Sequence, residues 1–208
     1  MPGNAIDPQD ADLPARLVLA SASPRRRELL GSLGLRFMVD APQLEETRLP
    51  GEAPHAWALR LSQAKAALVA LRHAPPALIL AADTLVIDTA QALGKPVDAA
   101  DARRMLRQLR ARSHEVCTAF TLQRAGSDGQ QLSRLCRTRV HMRAWSAAEQ
   151  ADYVAGGDPL DKAGAYALPH PVFAPVERIE GSYSNVVGLP LEMLQEALLQ
   201  FGGLDSFR

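Results

Sequence analysis

Where the apolar run Leu17-Val18-Leu19-Ala20 ends, the chain reads Ser21-Ala22-Ser23-Pro24-Arg25-Arg26-Arg27. Ser23 suits a helix N-cap and Pro24 the first helical position. First-turn N–H groups lack a partner inside the helix, and the helix dipole favours an anion there. Guanidiniums at that end oppose the dipole, which makes sense when an anionic ligand compensates. Ser21, Ser23, Arg25 and Arg26 thus outline a phosphate or carboxylate site. An ordinary capped helix with a solvated basic turn would use the same residues. Neither a P-loop nor a dinucleotide-binding glycine fingerprint is present.

A second feature is Ala81-Ala82-Asp83-Thr84. A carboxylate interrupting apolar strands is costly to bury unpaired, so Asp83 is expected at a strand end, or facing a ligand, a cation or a metal. Glu45-Glu46 in an earlier loop is a pair of acids that usually stays solvated. Directed at Asp83, one of them would complete a hard oxygen pair for a divalent cation. Only three of the 23 basic residues are lysines, Lys65, Lys95 and Lys162, and lysine is a compact point charge suited to phosphate oxygens. Two of them lie in the glycine-bearing segments Gly94-Lys95-Pro96 and Asp161-Lys162-Ala163-Gly164. These, with Gly181 to Pro190, are over-specified for plain connectors. The set fits binding or hydrolysis of a phosphorylated small molecule without choosing the molecule.

These residues need elements to hold them. Strands are expected at 17–20, 37–39, 78–81 and 85–87, the last two broken at Asp83, and at 114–124 and 131–145 around the turn Gly126-Ser127-Asp128-Gly129. Helices are expected from Pro24 to about Gly34, over 54–72 and 99–110, from Ser146 to about Ala155, and over 190–201. That order implies an α/β fold with a mixed sheet and helices packed on it. A mobile tail over 1–16 and a single domain over 17–208 are expected.

Composition closes off other classes. Hydrophobic residues make up 47% and charged residues 22%, which is globular. Formal net charge is zero, against a non-specific polyanion binder. No apolar run approaches the ~20 residues that cross a bilayer, and Met1-Pro2-Gly3-Asn4 carries no secretory pattern, so a cytoplasmic protein is expected. Cys117 and Cys136 could approach across a hairpin, but reduced thiols are expected. The histidines form no metal-ligand pattern.

The same blocks, from Ser21-Ala22-Ser23-Pro24-Arg25-Arg26 through Glu45-Glu46, Leu61-Ser62-Gln63-Ala64-Lys65-Ala66, Ala82-Asp83-Thr84, Gly94-Lys95-Pro96, Asp161-Lys162-Ala163-Gly164-Ala165-Tyr166 and Gly181-Ser182-Tyr183 to Gly188-Leu189-Pro190, occur in the order of the Maf family. Over roughly residues 17 to 200 the chain resembles these nucleoside triphosphate pyrophosphatases, historically linked to septum formation. The resemblance implies an elongated mixed sheet in two lobes around a nucleotide cleft, similar to inosine triphosphatases. It implies hydrolysis of a nucleoside triphosphate to the monophosphate and pyrophosphate with a divalent cation, Mg or Mn. Asp83 matches the proton acceptor. Ser21, Ser23, Arg26, Glu46, Lys65 and Lys95 match polar cleft positions, and Asp161 and Lys162 the loop opposite, with Glu46 and Asp83 as metal ligands. Arg25 and Thr84 resemble the dTTP/UTP-type branch rather than the 7-methyl-GTP branch, whereas Pro169 stands where that branch carries glutamine. A nucleoside triphosphate is the implied partner, a homodimer is left open, and neither nucleic acid nor membrane is expected. The competing reading is a non-catalytic, nucleotide-binding regulator of cell division; retention of Asp83 favours the enzyme.

Overall fold

Leu78–Asp88 is a strand of eleven residues on which both halves of the fold are assembled. In the computed structural model, which describes residues 16–126, 129–170 and 172–207, the elements run β1 (Leu17–Leu19), α1 (Pro24–Gly31), β2 (Phe37–Val39), α2 (Pro54–Ala70), β3 (Leu78–Asp88), β4 (Gln91–Leu93), α3 (Ala99–Leu109), β5 (Ser113–Arg124), β6 (Gln131–Met142), α4 (Ala147–Ala155), β7 (Val176–Glu180), α5 (Tyr183–Val187) and α6 (Leu191–Leu198). Short 3-10 turns cover Asp158–Asp161 and Ala163–Ala165 before β7, and Leu199–Phe201 and Leu204–Phe207 after α6. Most of the expected tail, and the centre of the expected 126–129 turn, lie outside the described residues.

The sheet runs β2-β1-β3-β5-β6-β7, with β4 also on β3. β1 pairs parallel with β2 and β3, and the other ladders are antiparallel. β5 occupies one edge of β3 from Leu78 to Ile87. On the other edge β1 pairs with Leu78–Leu80 and β4 with Val86–Asp88. Residues 81–85 therefore have no strand on that edge among the described residues, and the sheet forks there. The expected break at Asp83 is not present: the unbroken register with β5 carries the strand straight through the acid.

Side chains alternate across a strand, and this sorts the core. Leu78, Leu80 and Ala82 pack with Phe120, Leu122 and the C-terminal helices, while Val86 and Val116 join a separate core with α3 and α4. Ile79, Ala81, Leu85 and Ile87 face the other way, under α2. Period two also separates the cysteines. Cys117 pairs with Arg137 and Cys136 with Thr118, so the two thiols point to opposite faces and both are free.

Three elements differ from the expected order. β4 and β7 are short strands, β7 being the charged run Val-Glu-Arg-Ile-Glu at a sheet edge, where solvent relaxes the apolar pattern. α5 is five residues long, capped by Ser182 Oγ accepting from Asn185 N–H, too short for a helical period to register. The last helix stops at Leu198 and continues as a 3-10 turn.

His114, on β5, is buried in the α3/α4 core, where its Nε2 and the Tyr166 hydroxyl share a hydrogen bond of 2.8 Å. Burial pushes its pKa from 6.5 down to about 4, Asp88 pulling up and His141 pushing further down. Between those values the unfolded chain binds a proton here that the folded chain does not. The stabilisation is therefore complete above pH 6.5 and is lost as pH falls towards 4. Urea denaturation should lose about 3 kcal/mol across that window through this residue, and His114→Gln should flatten the slope. An unchanged slope would place the acid sensitivity elsewhere.

Candidate active site

Asp83 lies on the face of β3 covered by α2, and α2 presents Lys65 to it. Lys65 Nζ is 2.6 Å from Asp83 Oδ1 and 2.6 Å from Glu46 Oε1. Asp83 is 6% and Lys65 8% exposed. Two buried opposite charges repay desolvation only with close geometry, which a shared ammonium at hydrogen-bond distance supplies. Burial nonetheless dominates, and it holds the Asp83 carboxyl above its ordinary range against the downward pull of Lys65 and Arg26. The phase of α2 is set three residues earlier, where the buried Ser62 hydroxyl donates to Leu59 O at 2.8 Å and accepts from Thr121 Oγ1 at 2.9 Å, which in turn meets Ser133.

The start of α1 forms the adjacent wall. Ser23 caps the helix by accepting from Arg26 N–H, and Ser21 Oγ accepts from Ser23 N–H at 3.2 Å. The Arg26 guanidinium donates Nε–H to Gly188 O at 2.9 Å, Nη1–H to Ser21 Oγ at 3.3 Å and Nη2–H to Thr84 Oγ1 at 2.9 Å. Gly188 has φ of 128°, a conformation L side chains rarely adopt, and this turns its carbonyl onto Arg26. α1, β3 and the end of α5 are thereby joined through one side chain.

The opposite wall comes from two loops tied together. Gly164 N–H donates to Gly94 O at 3.1 Å, which sets the Lys95 and Lys162 segments side by side. Gly164 has φ of 68°, and a Cβ there would meet Val86 Cγ1 at 3.0 Å, so neither its conformation nor its space admits a larger residue. Lys162 Nζ donates to Asp161 Oδ1 and to the Asp158 carbonyl, each at 2.6 Å.

Between these walls is a cavity of about 430 Å³ at the fork of the sheet. Because the fork leaves an edge of β3 open, Asp83 and Thr84 line the cavity although they point to opposite faces. Ser21, Ser23, Arg25, Arg26, Glu46, Lys65, Lys95, Asp161 and Lys162 line it as well. All three lysines of the chain meet here. Arg25 and Lys95 have no ion-pair or hydrogen-bond partner among the described residues, so their charges are open to a ligand. Pro169 is exposed and not part of the wall, whereas Leu168 is. Tyr166, Val186 and Val187 line it too, from segments that the sequence singled out, whereas sequence reasoning missed the apolar lining of Val86 and Val116. For Val86 and Val116 the signal was available, since they lie two residues along the same face from Thr84 and from its partner Thr118.

Residues 16–201 match the family described as Maf-like protein. The chain belongs to the Maf family. It is 51% identical over 188 residues to a protein of Myxococcus xanthus named dTTP/UTP pyrophosphatase, covering 90% of this chain and 93% of that one. A Geobacter sulfurreducens protein of the same name is 47% identical, over 91% and 98% of the two chains. Among solved structures, a HAM1 protein from Coxiella burnetii aligns over 89% of this chain and 99% of its own with a TM-score of 0.49 and 19% identity.

In this Maf protein the Lys65 ammonium joins two carboxylates on different elements, so its loss should be felt by all three. Lys65→Met leaves Asp83 buried without its counter-ion and should destabilise the fold by about 3–5 kcal/mol. Adding Asp83→Leu should recover a large part of that loss. Equal losses in the single and double variants, measured by urea denaturation, would show that the pair is not coupled.

Proposed function

We propose that this Maf protein hydrolyses nucleoside triphosphates, with dTTP and UTP as substrates, to the monophosphate and pyrophosphate. One observation carries the reading. A buried carboxylate with a raised pKa, Asp83, faces a cavity lined by five cationic side chains against three carboxylates. The names of the 51% and 47% identical relatives support the same chemistry.

A triphosphate brings several negative charges, and Arg25, Arg26, Lys95 and Lys162 line the place where they would be neutralised. Asp83 takes a proton from the attacking water. The new bond joins the water oxygen to the α-phosphorus, the α–β bridging bond breaks, and pyrophosphate leaves with its electron pair. Burial makes Asp83 a stronger base than a solvated carboxylate, and Lys65 orients it. Lys65 engages only Oε1 of Glu46 and Oδ1 of Asp83, and with their second oxygens these two carboxylates would hold a divalent cation. Among the described residues no three acidic, histidine or cysteine side chains form a cage, but two carboxylates suit an Mg²⁺-like ion that takes its other ligands from water and phosphates. When bound, such an ion supplies charge neutralisation to the phosphates.

Selectivity is weaker at one wall. Leu168 carries no hydrogen-bonding side chain, and Pro169 lies outside. His170 cannot substitute easily: its Nδ1 accepts from Phe173 N–H at 2.7 Å and its Nε2 meets Asp158 Oδ2 at 2.8 Å. The enzyme should accept dTTP and UTP but separate them only modestly from CTP, since shape alone gives roughly 10–200-fold.

With Mg²⁺ or Mn²⁺, purified protein should release pyrophosphate from dTTP or UTP as its first product. Orthophosphate first, or no release, would sink the assignment, the latter favouring a non-catalytic regulator. Asp83→Asn should lower kcat by about 10²–10⁴ while triphosphate binding largely survives. The wild-type rate should rise with pH through a midpoint above 3.8, the ordinary aspartate value, as the carboxyl ionises. That limb should be missing from the residual activity of the variant; near-normal turnover would make Asp83 structural.

A separate panel compares kcat/KM for dTTP, UTP and CTP in wild type and Leu168→Gln, which puts the missing amide on the wall itself. The glutamine should sharpen discrimination. A wild-type preference of about 10⁴, unchanged by the glutamine, would overturn the reading of this wall.

A further inference from the structure

Thr84 is hydrogen-bonded on every side, and the direction of each bond can be counted. Its Oγ1 accepts from Arg26 Nη2–H at 2.9 Å and lies 2.9 Å from Thr118 Oγ1. Thr118 Oγ1 is 3.0 Å from Asn185 O, a backbone carbonyl that can only accept. The single Thr118 proton therefore goes to Asn185 O. The Thr84 proton must then be the one between the two hydroxyls, donated to Thr118, so Thr84 turns its lone pair to Arg26. Each bond leaves the next with one arrangement. The far end is fixed as well: Asn185 Nδ2 donates to Val116 O at 3.0 Å and to Thr138 Oγ1 at 2.9 Å.

The outcome for Arg26 is a guanidinium held by three protein acceptors, with one N–H on each terminal nitrogen uncommitted. Two such hydrogens are what a bidentate grip on a phosphate requires. Thr118 is fully buried and does not line the cavity, so it has no access to a ligand.

We propose that Thr118 is a positioning residue for triphosphate binding, acting through the proton of Thr84 on the Arg26 fork. This rests on the proposed nucleotide chemistry only in taking Arg26 as a phosphate ligand. Without the Thr118 hydroxyl, the Thr84 proton is free to turn to Gly188 O, 3.5 Å away and already accepting from Arg26 Nε–H, and the fork loses its fixed acceptor.

The test uses the full chain and inorganic tripolyphosphate, which has no base, with binding measured by calorimetry independently of turnover. Thr118→Val should weaken tripolyphosphate binding and raise KM for dTTP by about tenfold, the loss of one charge-assisted hydrogen bond. It should leave kcat within about threefold and the dTTP-to-CTP ratio unchanged. Thr118→Ser should restore binding, and Thr84→Val with Thr118→Val should be no worse than Thr84→Val alone. Wild-type tripolyphosphate affinity in Thr118→Val, or a dTTP-to-CTP ratio altered by that substitution, would overturn the proposal. Should Thr118→Val fail to fold, exchange of threonine hydroxyl protons in the wild type decides. The Thr84 and Thr118 hydroxyl protons should both be protected, and a Thr84 hydroxyl exchanging as fast as that of a solvent-exposed threonine would overturn it. Failure of the wild type to release pyrophosphate would count against the function, whereas the tripolyphosphate result bears on the Thr118 relay alone.

Discussion

A buried lysine-aspartate contact in the middle of the apolar strand β3 sets the terms for the rest of this molecule. Asp83 is flanked by buried alanines and leucine, and neither it nor Lys65 is more than 8% exposed. Such a contact is tolerated only if the two groups arrive in register. Strand parity must turn Asp83 towards α2, and α2 must be phased so that Lys65, and no neighbour, meets it. The apolar residues on either side, Ala58 and Leu61 towards one end and Ala66 and Val69 towards the other, lock that phase. The Ser62–Thr121–Ser133 hydroxyl chain adds a polar fix one turn from the lysine.

The cavity exists because the sheet is incomplete beside this contact. β1 and β4 use the two ends of one β3 edge and leave its centre open. On the face opposite α2, two apolar cores fill the ends, and α5 bridges the space between them. Its Asn185 ties β5 to β6, while the carbonyls of Asn185 and Gly188 receive Thr118 and Arg26. A segment of ten residues that resembles a connector thus holds the walls of the site together.

Charge is distributed to match. The chain has no net charge, yet the cavity lining has an excess of cations, with Arg25 and Lys95 unpartnered among the described residues. Arginine is used where a planar fork must satisfy several fixed acceptors, as at position 26. Lysine is used at the three places where a compact charge meets carboxylates or the open cavity. A cationic cleft in a chain that is neutral overall attracts an anionic ligand without a generally basic surface.

Much of this was legible in the sequence. Capping chemistry is local, so the α1 start at Ser23 and Pro24 and the α4 bounds at Ser146 and Gly156 could be read directly, and the recurrence of apolar residues placed α2 and α3. Residue type alone marked Asp83 and the lysines as out of place, because a charge in an apolar run needs a reason. The ordered blocks gave the family. What the sequence could not supply was anything decided by pairing at a distance. Asp83 reads locally as a strand end because its neutraliser lies 18 residues away on a helix. Pro169 looked like a wall residue until the backbone turned Leu168 inward instead. The direction of the Thr84 proton depends on a carbonyl more than a hundred positions along the chain, brought there by α5. Local propensity fixes where elements begin and end; only packing decides which edge of a strand stays open and which hydroxyl must give up its proton.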